Sequence, residues 1–156
     1  MSTPFKYNVS VIEQWVDYNG HMNDAAYAEV FSRAVDALMG HLGITEEVIQ
    51  EKQYTIFTLE THLCYLNEVH QGESLTVEWQ LLDHDVKRLH AFFSMKNTNG
   101  DLVATSEQML MGMDQGQGKP APFLSFIQEK IDDVWREHEH LEKPKQAGRV
   151  IGIRRK

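Results

Sequence analysis

The sequence predicts an α+β domain: an antiparallel sheet of five strands wraps around one long helix, and a second helix closes the chain. Three observations predict it. A single short strand pattern leads into a long amphipathic helical one. Four strand patterns then follow in series, the last two separated by an Asn-Gly pair, a strong hairpin signal. An apolar stripe at helical spacing completes the folded part. At 156 residues the chain suits one core and is too short for two. Residues 1–156 are therefore read as a single domain whose tail starts at about residue 140.

Tyr7-Asn8-Val9-Ser10-Val11 alternates, so a first strand is expected within residues 7–15. Over residues 24–42, Tyr27, Val30, Phe31, Ala34, Leu38 and Met39 recur at spacings of three and four, which places them on one helix face. Asn23 or Asp24 suits the N-cap and Gly43 the stop. Small residues along this helix (Ala25, Ala26, Ala28, Ala34, Ala37) let a sheet approach closely. Residues 45–53 read as a short helix or a loop. The meander strands are expected at 54–66, 74–82, 88–96 and 102–113. Met109, Met111 and Met113 alternate as packing against the sheet, and Gly112, Gly116 and Gly118 read as loop. The last helix is expected at 123–139, with Phe123, Phe126, Ile127, Ile131, Val134 and Trp135 as its stripe, before a loosely ordered stretch at 143–148. One helix cannot cover both faces of such a sheet, and an open edge strand invites pairing. A homodimer or homotetramer, joined sheet edge to sheet edge, is the expectation.

Composition narrows the function classes. Apolar residues make up 42% and charged residues 24%, ordinary for a soluble globular protein. Fifteen basic against twenty-three acidic residues give a charge of −8, which argues against generic nucleic-acid binding. The single cysteine, Cys64, excludes an internal disulfide and suits a reducing cytoplasm. No apolar run approaches the ~18 residues of a membrane span. The first six residues lack the order of a signal peptide. A cytoplasmic protein with no membrane association is expected. No zinc-protease, Cys-x-x-Cys, phosphate-loop or Gly-x-Ser-x-Gly pattern is present. His138 and His140, two apart on a helix, face different ways and make a poor metal pair. No metal and no cofactor are expected.

The chemistry concentrates in Asp17-Tyr18-Asn19-Gly20-His21-Met22-Asn23, where a strand pattern meets the long helix. The first turn of a helix has free N–H groups that stabilise negative charge, so a carboxylate beside them suits chemistry at a carbonyl. Asp17 is either a loop aspartate making an Asx-turn or the reactive carboxylate. His21 either ties the loop to the sheet or takes part directly. Asn19 and Asn23 suit polar scaffolding around them, and Gly20 lets the backbone turn tightly.

This heptapeptide, with Tyr27 and Phe31 and the element order βαββββ, resembles the hotdog-fold acyl-CoA thioesterases of the 4-hydroxybenzoyl-CoA thioesterase branch. Glu60-Thr61-His62-Leu63, Tyr65-Leu66, Glu68-Val69, Lys87-Arg88-Leu89-His90 and Gly148-Arg149-Val150-Ile151-Gly152 are similar to a narrower group. Its members are fused to, or encoded beside, L-carnitine dehydrogenase and have betainyl-CoA as proposed substrate. The resemblance implies that Asp17 attacks the thioester carbonyl or activates water, with amides near residues 23–26 as the oxyanion hole. A thiolate is a good leaving group, so no metal is required. It also implies that Glu60, with Thr61 beside it, lies in the substrate pocket, either its own chain's or the partner subunit's. There Glu60 would neutralise a quaternary ammonium, helped by aromatic faces such as Trp15, Tyr18, Tyr65 or Trp79. Lys87, Arg88 and His90 form a basic hairpin tip suited to coenzyme A phosphates, to which Arg149, Arg154, Arg155 and Lys156 can add. Two other functions stay open. One is a hydratase or dehydratase of acyl thioesters, with Glu29 as the acidic partner of His21. The other is a non-catalytic acyl-CoA-binding module.

Overall fold

In a computed structural model, residues 4–155 are described. The readings placed on residues 1–3 and on Lys156 lie outside the described residues. Strand β1 (Tyr7–Ser10) leads through a 3-10 turn (Glu13–Trp15) to helix α1 (Asp24–His41). Helix α2 (Glu46–Lys52) follows, then β2 (Tyr54–Tyr65), β3 (Ser74–His84), β4 (Arg88–Lys96) and β5 (Leu102–Asp114). A two-residue strand β6 (Lys119–Pro120) and helix α3 (Ser125–His138) complete the chain. The sheet is antiparallel in the order β1-β3-β4-β5-β2, with β6 on the end of β5. The α+β architecture is the expected one, with β6 as an addition.

Helix α1 forms where its sequence caps it. The Asn23 side chain accepts the Ala26 N–H at 2.9 Å. Val30, Phe31, Ala34 and Leu38 are buried on one side, as the spacing predicts. Thr45 caps α2 in the same way, and Gln53 ends it in a left-handed conformation, so the stretch is a short helix rather than a loop. At the Asn-Gly turn, Gly100 takes φ +82° and Asn97 accepts the N–H groups of Asn99 and Asp101. The core lies between α1 and one sheet face, where Leu75, Val77, Leu81, Leu89, Ala91 and Phe93 are fully buried.

Three expectations need correction. Gly112 is not loop: it lies inside β5, opposite Ile56. The closing stretch does not trail free. Gln80 donates to the Glu142 carbonyl at 3.3 Å and the Gly148 N–H donates to Glu107 at 2.7 Å, so the chain crosses the sheet. Finally, the first strand ends at Ser10 instead of running on toward Trp15, and β1 covers only Ser74–Val77 of β3, which leaves the rest of that edge to the C-terminal segment. There His138, at the end of α3, accepts the Leu81 N–H at 2.8 Å through Nδ1.

Burial pushes the His138 imidazole below its ordinary range, against a smaller opposing pull from Glu137. A histidine lowered in the folded state leaves the unfolded chain binding more protons. Its contribution is thus complete above the unfolded pKa of about 6.5 and is lost as pH falls through the folded value. The thermal midpoint is expected to drop between about pH 7.5 and about pH 5. His138→Asn should flatten that slope, as melting curves across the range will check.

Candidate active site

The heptapeptide folds as a tight hairpin tip. Val16 and Met22 bridge, the Asp17 N–H reaches the His21 carbonyl at 2.8 Å, and the Gly20 N–H reaches the Asp17 carbonyl at 2.9 Å. Gly20 has φ +80°, which favours glycine there. Asp17 Oδ1 accepts the N–H groups of Asn19 at 2.9 Å and His21 at 3.1 Å. One carboxylate oxygen therefore holds the loop, while Oδ2 has no partner among the described residues. Asp17 is exposed on the single chain, and Tyr18, at the tip, is 96% exposed. Asn23 is scaffold: its N–H and Nδ2 both donate to the Trp15 carbonyl while Oδ1 caps α1. That cap occupies the Ala26 N–H. The Asp24 and Ala25 N–H groups have no acceptor among the described residues, so two donors are left at the positive end of α1.

Beside this helix start lies a cleft of about 340 Å³, lined by His21, Met22, Asp24, Tyr27, Tyr65, Leu66, Asn67 and Glu68. The Tyr65 hydroxyl donates to the Asp24 carbonyl at 3.3 Å and the Tyr27 hydroxyl to the Asn67 carbonyl at 3.4 Å. The two rings meet edge to face at 5.2 Å. Burial raises the Tyr27 phenol above its usual range, with Glu73 and Glu68 adding to the rise. Burial and then Asp24 raise Tyr65. Both phenols stay neutral, and carboxylates dominate the local field. His21 faces Glu68 at 3.4 Å.

Glu60 is elsewhere. Thr61, Leu63, Ser106 and Gln108 share a 240 Å³ cavity with Ala28, Phe31 and Ser32 of α1, so they face the helix. Glu60, one residue from Thr61, takes the opposite face. It lines a 500 Å³ cavity with His62, His90, Glu107, Met109, Gly148 and Arg149, which Thr61 and Gln108 also border from the strand edge. Straight alternation from Ile56 through Thr58 would have put Glu60 on the helix side. The bulge between Thr58 and Glu60 turns it outward. Within one chain the structure joins Glu60, Thr61 and His90, but not Glu60 and Asp17.

Other expected site residues are already engaged. Trp15 is buried; its Nε1 donates to Glu29 at 2.7 Å and Arg33 lies over its ring at 5.6 Å. It offers no free face to a ligand. Trp79 packs against Phe93. Glu29, held by Trp15 and by Arg33 at 3.3 Å, is not the partner of His21. Nor is the basic tip a free cluster. Arg88 pairs with Asp85 at 2.5 Å, and this guanidinium, with local N–H groups, holds the Asp85 carboxyl down at about 2. His90 meets Glu107 at 2.6 Å. Burial pushes Glu107 up, but the Gly148 N–H and His90 outweigh it, and the carboxyl sits below its usual range. Lys87 keeps no ion pair among the described residues.

Sequence reasoning missed Asn67 and Glu68, which line the cleft, and Gln108. The polar spacing in residues 67–70 was the available signal. Gln108 is 5% exposed and its Oε1 has no partner among the described residues.

Comparison with known proteins adds the following. The model of the Thioesterase-like superfamily matches residues 11–131. The chain is 40% identical to the betainyl-CoA thioesterase of Pseudomonas aeruginosa, covering 94% of this chain and 93% of that one. It is 36% identical to the L-carnitine dehydrogenase/betainyl-CoA thioesterase of Rhizobium meliloti, over 90% of this chain and 28% of that longer protein. A Staphylococcus aureus protein solved in complex with CoA superposes with a TM-score of 0.91 at 32% identity, over 97% of this chain and 96% of the other. The chain therefore belongs to the Thioesterase-like superfamily and is a hotdog-fold thioesterase.

Proposed function

We propose that the chain hydrolyses betainyl-CoA to betaine and free CoA, as a cytoplasmic homodimer and with no metal or further cofactor. Asp17 Oδ2 acts on the thioester carbonyl, as nucleophile or as the base for water. The Asp24 and Ala25 N–H groups receive the oxyanion, and the thiolate leaves; in the nucleophilic route water then cleaves the resulting Asp17 anhydride to betaine and the free carboxylate. The observation that carries the reading is the cleft beside those two donors. It is lined by two carboxylates, Asp24 and Glu68, and two tyrosines. In betaine only one methylene separates the trimethylammonium from the carbonyl. A carbonyl at the helix start thus leaves the cation among acids and aromatic faces, which suit it. The substrate named for the Pseudomonas aeruginosa relative supports the same reading.

The free edge of β2 supports the dimer reading. This edge strand is twelve residues long and exposes Phe57, Leu59 and Tyr65, a surface that calls for a partner. A second chain there would close the solvent side of the Asp17 loop and bring its own Glu60 face alongside. Gln108, opposite Thr61 of that strand, has an unpartnered Oε1 that would accept an amide N–H of the pantetheine arm.

A panel of acyl-CoAs, followed by thiol release, tests the reading. Betainyl-CoA is expected to turn over fastest, and crotonyl-CoA to show no loss of enoyl absorbance. Hydration of crotonyl-CoA without thiol release would overturn the assignment, as would saturable binding of every thioester without turnover. Glu68→Gln should raise the KM for betainyl-CoA about 5- to 30-fold, the equivalent of ~1–2 kcal/mol for a partly desolvated cation contact. An unchanged KM would remove Glu68 from the cation's surroundings.

A further inference from the structure

His70 has no part in the reaction above, yet its ring stands 4.8 Å from that of His21, at 70° to it. We propose that His21, Glu68 and His70 bind a divalent transition-metal ion of the zinc class, and that this ion inhibits the enzyme. The inhibitory half rests on the function proposed above; the binding half does not.

The backbone sets up the site. His21 and His70 oppose each other across an antiparallel bridge, and the neighbouring Met22 N–H donates to the Val69 carbonyl at 2.7 Å. Residues facing each other in this way hold their Cβ atoms about 4.5–5.5 Å apart, which lets two imidazoles converge on one point. Glu68, two residues before His70, extends to the same side, with Oε2 at 3.4 Å from His21 Nε2. One ligand atom from each of the three lies within 4.8 Å of the other two.

A tetrahedral zinc ion with bonds of about 2.0–2.2 Å needs its ligands about 3.4 Å apart. The His21–Glu68 pair is already at that separation. His70 needs only a ring adjustment, which its exposure permits. Its backbone stays fixed while the ring moves, because its N–H donates to Glu73 at 2.7 Å. An ion pair with Glu68 occupies one imidazole, whereas this arrangement supplies two. Two imidazoles and a carboxylate form a common zinc donor set, and they leave a fourth position for water. The nearby Asp24 and the charge of −8 favour a cation here.

The expected consequence follows from shared groups. The ion would take Glu68, which the functional reading gives to the substrate ammonium, and would place positive charge in the same cleft. Inhibition should be competitive with betainyl-CoA.

The test uses the whole chain, titrated with Zn2+ by calorimetry and with Co2+ by visible absorption, in wild type and His70→Gln. One ion per chain and tetrahedral Co2+ bands are expected for wild type. The variant should bind at least about tenfold more weakly, with hydrolysis unchanged in metal-free buffer. Zn2+ should raise the apparent KM of wild type with kcat unchanged, EDTA should reverse this, and His70→Gln should resist it. Equal affinity in wild type and variant, or no Co2+ bands, would overturn the site. Binding that depends on His70 but leaves KM unmoved would overturn the inhibition alone. If betainyl-CoA is not a substrate, the functional reading fails while the two titrations still decide the site.

Discussion

Asp17→Asn is expected to lower kcat by about 10²- to 10⁴-fold, the usual contribution of a positioned base, with little change in KM. The substitution separates the two duties of this side chain. Oδ1 accepts the Asn19 and His21 N–H groups, and an asparagine oxygen can keep both. Oδ2 carries the proposed chemistry, and an NH₂ in its place can neither attack nor take a proton. The loop should survive and the reaction should not. Thiol-release kinetics check the rate, and a melting midpoint close to wild type checks that the fold is intact. Full activity in the variant would refute the role.

Gly112→Ala is expected to destabilise the fold by about 1–3 kcal/mol, the usual cost of overpacking. A Cβ at this position would lie 2.0 Å from the Tyr54 hydroxyl oxygen and 2.9 Å from the Ala121 carbonyl oxygen. The phenol cannot simply swing away. Tyr54 is 3% exposed, its hydroxyl donates to the Ala121 carbonyl at 3.0 Å, and burial has pushed that phenol up to about 12. Nor can the backbone retreat freely. The Gly112 N–H donates to the Lys87 carbonyl at 2.7 Å, and its carbonyl accepts the Ala121 N–H at 3.0 Å. A fall in midpoint of roughly 2–4 °C per kcal/mol is expected for a domain of this size. Tyr54→Phe removes the closest contact, so the double variant should lose less than the sum of the single ones. Strict additivity would mean the clash is relieved elsewhere.

What the sequence made legible follows from period and length. Helix α1 carries its apolar stripe over eighteen residues with a cap at Asn23, and the meander strands alternate over nine or more. Such signals survive local noise. The Asp17 loop was legible because its residues are consecutive and hydrogen-bond among themselves. The cleft proposed for the cation was legible only in Tyr65. Tyr27, Tyr65 and Glu68 come from α1, the end of β2 and the loop beyond it, and only the folded chain places them together. The face that Glu60 takes was not legible, because one bulged residue reverses the facing of every residue after it and alternation does not mark which residue bulges. Trp15 was misread for a different reason. An aromatic next to a polar loop reads as a ligand face, but here its ring is covered by Arg33 and its N–H taken by Glu29.

The most direct test compares kcat/KM for betainyl-CoA with that for 3,3-dimethylbutyryl-CoA, whose tert-butyl group matches the trimethylammonium in shape without its charge. A preference of at least about tenfold for the cation, ~1.4 kcal/mol, is the predicted result. Equal values for the two thioesters would contradict it.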